Sequence, residues 1–229
     1  MRKSTGNEAA SALVVMARYP EPGRVKTRLA RTYGNERTCR LYLAFLQDLA
    51  SRFGRQRRPL IWMVEPAVGD FASLLPGPVV CLPQRGETLA DRMYDCFVRL
   101  LGSSYRFEKI LLIGSDMPHI RAEWIAQAEE WLDGTDVVLG PTDDGGYYLV
   151  GMRAPHDVFR GIEMGRETVR AQTLQRVEEL GLTRRELPRS FDIDEPADLE
   201  RLAQLLRQTA DLELPATRAA LFPEAQPRR

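Results

Sequence analysis

The stretch ALVVMARYPEPGRVKTRL, residues 12–29, runs a short apolar segment directly into a loop with four cations, two prolines and a glycine. An apolar, β-branched run of six residues reads as a buried strand, and the residues after it read as a loop at that strand's carboxyl end. Further short apolar runs follow at PLIWMV (59–64), PVVCL (78–82), KILLIG (109–114) and DVVLG (136–140). Between them lie longer amphipathic segments. In 35–53, Leu41, Phe45, Leu49 and Phe53 recur at four-residue steps, and in 88–101 Leu89, Met93, Phe97 and Leu100 do nearly the same. Strands alternating with such helices predict an α/β fold, a mostly parallel sheet with helices on both faces. GGYYLVGM (145–152) reads as a strand that doubles back, followed by helices at 166–180 and 195–207.

Composition sets the frame around that pattern. The 229 residues carry 44% hydrophobic content, enough for one sizeable core, so a single domain over 11–207 is expected. Residues 1–10 read as a flexible N-terminus and 208–229, rich in Pro and Ala, as a loosely attached tail. The 32 basic residues equal the 32 acidic ones, which argues against bulk nucleic-acid or membrane-surface binding and directs attention to local clusters. Lys3, Lys26 and Lys109 are the only lysines among those 32 basic residues, so a lysine inside the first loop is an outlier. Cys39, Cys81 and Cys96 form no CxxC pair, and no apolar run approaches the roughly 18 residues of a membrane span. A reduced, cytoplasmic setting is expected.

In open α/β sheets ligands bind beyond the carboxyl ends of the strands, so the loops after each run are the informative ones. In RYPEPGRVKTRL, Pro20 and Pro22 favour extended backbone, and if that geometry continues, Arg24, Lys26 and Arg28 alternate onto one side. Three converging cations suit a phosphate chain. The bland alternative is a solvated first helical turn. In GSDMP, Asp116 stands just past a central strand, placed to hold a divalent cation on a diphosphate or, alternatively, to cap a helix near Arg121. In DDGGYY, Asp143 and Asp144 precede Gly145 and Gly146, which can bring backbone close to a ligand or simply make a turn. FDIDEPADLERL offers Asp192 and Asp194 on one side of an extended segment, either completing a metal site or leading into an ordinary helix cap. The pattern excludes a Walker A loop, a GxGxxG fingerprint and a GxSxG nucleophile elbow.

Taken in order, PEPGRVKTRL, GSDMP, VVLGPTDDGGYYLVG and DIDEPADL make this sequence resemble a bacterial GT-A-fold family of nucleotide-diphospho-sugar transferases (glycosyltransferases), formerly grouped as a domain of unknown function. It is more distantly similar to the guanylyltransferases of molybdopterin and phospholactate metabolism. The resemblance spans about Ala12 to Leu206. It implies a GT-A-like fold and a Mg²⁺- or Mn²⁺-dependent transferase acting from a nucleotide-activated donor, an NDP-sugar, on a small-molecule or lipid-linked hydroxyl acceptor. The alternatives are a nucleotidyltransferase that uses an NTP and releases pyrophosphate, and a non-catalytic nucleotide-binding protein. Carried over by position, Arg24, Lys26 and Arg28 would hold phosphates, and Asp116 would hold the metal with Asp192 or Asp194. Asp144 would serve the acceptor as the catalytic carboxylate beside Gly145 and Gly146, and Gln84 and Arg92 would read base or ribose. Two departures stand out: MGRETV at 164–169 replaces a Trp-Ser-Thr run, and His119 replaces an acidic residue.

Overall fold

A computed structural model describes residues 11–67, 70–102, 105, 107–209 and 211–222. Seven strands form one sheet: β1 (Ser11–Arg18), β2 (Leu60–Glu65), β3 (Val80–Pro83), β4 (Lys109–Gly114), β5 (Val137–Pro141), β6 (Tyr147–Met152) and β7 (Arg184–Glu186). Their order is β3-β2-β1-β4-β6-β5-β7. The pairs β2–β3 and β5–β7 are parallel, whereas β6 runs antiparallel to β4 and to β5, as expected for a strand that doubles back. The helices are α1 (Thr27–Tyr33), α2 (Asn35–Phe53), α3 (Leu89–Leu101), α4 (Ala122–Trp131), α5 (Val169–Glu179), α6 (Pro196–Gln208) and α7 (Pro215–Leu221). Among the described residues no helix is long and apolar enough to cross a membrane. The expected flexible segment 1–10 lies outside the described residues.

The chain packs as two compact units, each drawn from separated stretches. One comprises 11–14, 84–113 and 122–189 of the described residues. Its strands β4, β5 and β6 are continuous apolar runs, and Ile110, Leu111, Val138, Leu139 and Leu149 are fully buried, the signature of strands covered on both faces. Helix α3 starts at a capping box in which Thr88 and Asp91 satisfy each other's backbone N–H groups. Met93, Phe97 and Leu100 are buried as the spacing predicts, but Leu89 is exposed. It is the first helical residue, where the chain is still entering the covered face.

The other unit comprises 15–83, 114–121 and 190–222. Here α2 buries Leu41, Phe45, Leu49 and Phe53 along the expected face, each burial contributing roughly 1.5–3 kcal/mol. The same helix buries Asp48, whose carboxylate accepts hydrogen bonds from the backbone N–H groups of Ala216 at 3.0 Å and Thr217 at 2.7 Å. Those are free N–H groups of the first turn of α7, so a buried charge is compensated by a helix start. The segment expected as a loose tail therefore carries a docked helix, with Leu214 and Thr217 fully buried.

Candidate functional site

The first loop does not continue in extended form. The backbone N–H of Arg24 bonds back to the carbonyl of Glu21 at 3.0 Å, Gly23 takes φ +80°, and α1 begins at Thr27. Arg24, Lys26 and Arg28 therefore do not line up on one side, because the turn and the helix change the side-chain period. Arg24 and Arg28 lie exposed, ion-paired with Glu21 at 3.2 Å and Glu195 at 3.6 Å. Lys26 turns inward, with 5% of its side chain exposed. Its backbone is left-handed, φ 49° and ψ 46°, a conformation that costs a non-glycine residue about 1–2 kcal/mol.

What Lys26 meets is a pair of carboxylates. Its Nζ lies 2.7 Å from Asp116 Oδ1 and 2.7 Å from Asp194 Oδ1. Asp116 stands two residues past the end of β4, six residues before α4 begins, and its carbonyl accepts the backbone N–H of Ile193 at 3.0 Å. The segment carrying Asp194 is thereby fixed beside it. Asp194 is further held through its own N–H, donated to Asp198 Oδ2 at 3.1 Å inside the capping box of α6. Burial pushes the lysine pKa down, but the two carboxylates outweigh it and the net shift is upward. Lys26 is thus a fixed cation between two anions whose side chains are 43% and 39% exposed. Asp192 is half-buried between the inward-facing Phe191 and Ile193. Among the described residues no group of three or more His, Cys, Asp or Glu side chains is arranged to hold a metal. The carboxylates brought together are Asp116 and Asp194.

The turn between β5 and β6 is closed by its own groups. The N–H of Thr142 donates to the carbonyl of Gly146 at 3.1 Å, while Asp144 Oδ1 accepts the Thr142 hydroxyl and the N–H of Gly146. Gly145 has φ +86°, and a Cβ there would stand 2.0 Å from the carbonyl oxygen of Glu167. Its carbonyl accepts the N–H of Arg170 at 2.9 Å. At Gly145 backbone closely approaches backbone. A Cβ on Gly146 would likewise meet Thr142 Oγ1 at 3.1 Å and Asp144 Oδ1 at 3.3 Å. Arg170 continues the tie by forking onto Glu186 of β7 at 2.7 and 2.8 Å, so the 164–169 segment is anchored to the turn at one side. In the loop before α3, Arg92 Nε donates to the carbonyl of Gly86 at 3.0 Å, bracing the turn that also carries the half-buried Gln84.

The family's sequence profile, described as "Uncharacterized protein conserved in bacteria (DUF2064)", matches residues 29–166, more than half of the chain. This chain belongs to that family. A structure from Desulfovibrio desulfuricans G20, described as a "putative nucleotide-diphospho-sugar transferase", is similar with TM-score 0.82 and 30% identity over 93% of this chain and 96% of that one. The expected nucleotide-diphospho-sugar transferase fold is therefore the fold observed. More distant likenesses are CMP:2-keto-3-deoxy-manno-octonic acid synthetase complexed with CTP and a cytidylyltransferase from Leptospira borgpetersenii serovar Hardjo-bovis. The first has TM-score 0.53 and 15% identity over 86% of this chain and 98% of that one. The second has TM-score 0.57 and 13% identity over 96% and 99%. No curated protein matches the sequence.

For this DUF2064 member, the profile match omits Lys26 and Asp194, the residues that physically complete the Asp116 centre. Two side chains support this centre in ways that local sequence does not specify. Tyr42, on the buried face of α2, takes the N–H of Arg18 at 3.0 Å and pairs with Ser115 Oγ at 2.9 Å. Burial, then the charge of Asp116, pushes its phenol up to about 12, so it stays protonated. It ties the end of β1 to the residue before Asp116. A phenol among the buried positions of a mainly apolar helix face was the available signal. The second is His119, buried with its ring 4.4 Å from that of Phe191 and its Nε2 3.5 Å from Ser190 Oγ. It packs the Asp116 loop in place and stands in the core of its unit.

Proposed function

We propose that this protein is a metal-dependent transferase that uses a nucleotide-activated donor, transferring a glycosyl group from an NDP-sugar to a hydroxyl acceptor. The observation that carries this reading is the convergence of Asp116 and Asp194, both partly exposed, on one buried cation. Two carboxylates with an open side are what a hard divalent cation takes from a protein when phosphate oxygens complete its shell. The donor set thus fits Mg²⁺ or Mn²⁺, with Asp116 and Asp194 as the holding residues and Asp192 two residues before Asp194. Bound there, such an ion would supply charge stabilisation for the leaving diphosphate.

The remaining roles fall to the chain's own side chains. Arg24 and Arg28 sit in exposed ion pairs of the kind worth about 0–1 kcal/mol, so both guanidiniums exchange readily onto phosphate oxygens. Lys26 brings a compact cation to the same loop. Asp144, exposed at the β5–β6 turn and oriented by Thr142 and Gly146, accepts the hydroxyl proton of the acceptor as its oxygen attacks. Gln84 and Arg92, with the Gly86 turn, contact base or ribose. Under this assignment, Gly145 and Gly146 act by shaping the turn that presents Asp144.

A second reading is favoured by a specific likeness: the distant structural likenesses include a cytidylyltransferase and a CMP:2-keto-3-deoxy-manno-octonic acid synthetase complexed with CTP. In that reaction an acceptor oxygen attacks the α-phosphorus of an NTP and pyrophosphate leaves. Screening nucleotides and nucleotide-sugars by thermal shift, with and without Mn²⁺, separates binders, and the product then decides: an NDP marks glycosyl transfer and pyrophosphate marks nucleotidyl transfer. Binding without turnover would support a non-catalytic nucleotide-binding protein. Asp116→Asn should fold normally and lose the metal-dependent part of the nucleotide stabilisation, which at a hundredfold excess over Kd is about 2.7 kcal/mol. Unchanged metal dependence in that variant would remove Asp116 from the metal site.

A further inference from the structure

We propose that the Lys26 ammonium is a tethered occupant of the divalent-cation position, which metal must expel before it can bind between Asp116 and Asp194. This rests on the reading of that carboxylate pair as the metal site. Nζ lies 2.7 Å from one oxygen of each carboxylate, so it sits at the point where both oxygens converge. A hard cation bridging the same two oxygens would need that point, at still shorter distances. The charges point the same way. Two carboxylates balance one dication, whereas a dication and an ammonium together would put three positive charges on two negative ones within contact distance.

The residue is suited to being displaced. Lys26 is the only non-glycine residue with positive φ among those described, and such backbone strain is typical of residues held in place by their surroundings at functional sites. Its ammonium is a point charge on a flexible four-carbon stem, able to leave one anion for another without the geometric match a guanidinium needs. Arg24 and Arg28 stay exposed on either side of it in sequence. A displaced Lys26 belongs to the same loop and can meet the phosphates that arrive with the donor. Metal and nucleotide would then reinforce each other's binding, because phosphate gives the ammonium a second place to go, and such coupling is reciprocal.

The test is Mn²⁺ alone, titrated into wild type and Lys26→Met and followed by the electron paramagnetic resonance of the free ion. Without nucleotide, Lys26→Met should bind Mn²⁺ about tenfold more tightly than wild type, or better, within the range usual for coupled sites. Adding Asp116→Asn to Lys26→Met should abolish that gain. In wild type, saturating Mn²⁺ should raise acetylation of Lys26 by an amine-reactive ester, read by peptide mass spectrometry against Lys109. Lys109 is held elsewhere, on Asp133 at 2.6 Å. Equal Mn²⁺ affinity with unchanged labelling overturns the displacement and leaves the metal reading standing. Absence of Mn²⁺ uptake in both proteins overturns the metal reading, and the displacement falls with it. If Lys26→Met does not fold, the wild-type labelling alone decides.

Discussion

Asp116 and Asp144 each sit in a loop that follows a buried strand, and they are satisfied in opposite ways. Asp144 finds its partners two residues to either side, in Thr142 and Gly146, so its turn closes without help from the rest of the chain. Asp116 meets an ammonium from the first loop, and that ammonium also holds Asp194, 168 positions away in sequence. The difference separates what folding requires from what it does not. A turn needs an Asp and a Gly, and local hydrogen bonds repay them. Ion pairs whose carboxylates are this exposed return about 0–1 kcal/mol, while Lys26 gives up its hydration and takes a left-handed backbone. Stability alone accounts for the Asp144 turn and leaves the Asp116 centre unexplained.

The largest expected effect lies in the long-range region and comes from His119, on the same loop as Asp116. Burial, followed by the charges of Arg52, Arg201 and Arg121, pushes its imidazole down to about 3. A histidine depressed in the folded state contributes stability that is full above its unfolded pKa of about 6.5 and is lost as pH falls towards 3, because only the unfolded chain takes up the proton there. The full loss is on the order of 4 to 5 kcal/mol. Denaturant titrations between pH 7 and 4 should show stability falling, with the slope reduced in His119→Gln. An equal slope in that variant would mean the loop is held by other groups.

The next effect is local. Gly145→Ala must place a Cβ 2.0 Å from the Glu167 carbonyl while keeping φ +86°. Neither atom is the end of a flexible side chain, so the loss should be on the order of 3 kcal/mol, strain and displaced backbone together. Gly161→Ala isolates the first part: φ is +74°, and nothing stands within 4 Å of the added carbon. It should cost about 1 kcal/mol. Equal losses in chemical denaturation would show that the 145–167 contact yields freely, and that the turn is not clamped to the segment before α5.

The same contrast governs what could be read before the structure. Strands and long helices were legible because their signal is periodic and local: 35–53 and 109–114 match α2 and β4 to the residue. Helix α1 is masked in the sequence because Pro20 and Pro22 favour extended chain, whereas the Gly23 turn ends it. Helix α7 is hard to read because seven residues carry too little periodicity, and its anchor is an Asp on a helix far away in sequence. Strand β7, three residues long, gave no sequence signal. At the site, Lys26 was conspicuous as a lysine among arginines, and Asp116 by its place after a strand. That the two touch was not readable, since nothing in either segment specifies the fold that joins them.

The smallest expected effect on stability is that of Asp144→Asn, and it tests the comparison at its centre. An asparagine retains a carbonyl oxygen that accepts from both Thr142 and Gly146, so the turn should survive and unfolding should shift by no more than about 0.5 kcal/mol. Nucleotide affinity, with or without Mn²⁺, should stay at the wild-type level. What the amide cannot do is take a proton, so turnover should fall by a factor of about 10² or more if Asp144 is the acceptor's base. Affinity kept and turnover lost would mark an interaction made only in the transition state. Wild-type turnover would reduce Asp144 to the self-closing turn its hydrogen bonds already describe. Loss of metal-dependent nucleotide binding, the outcome expected of Asp116→Asn, would instead transfer Asp144 to the metal-holding group.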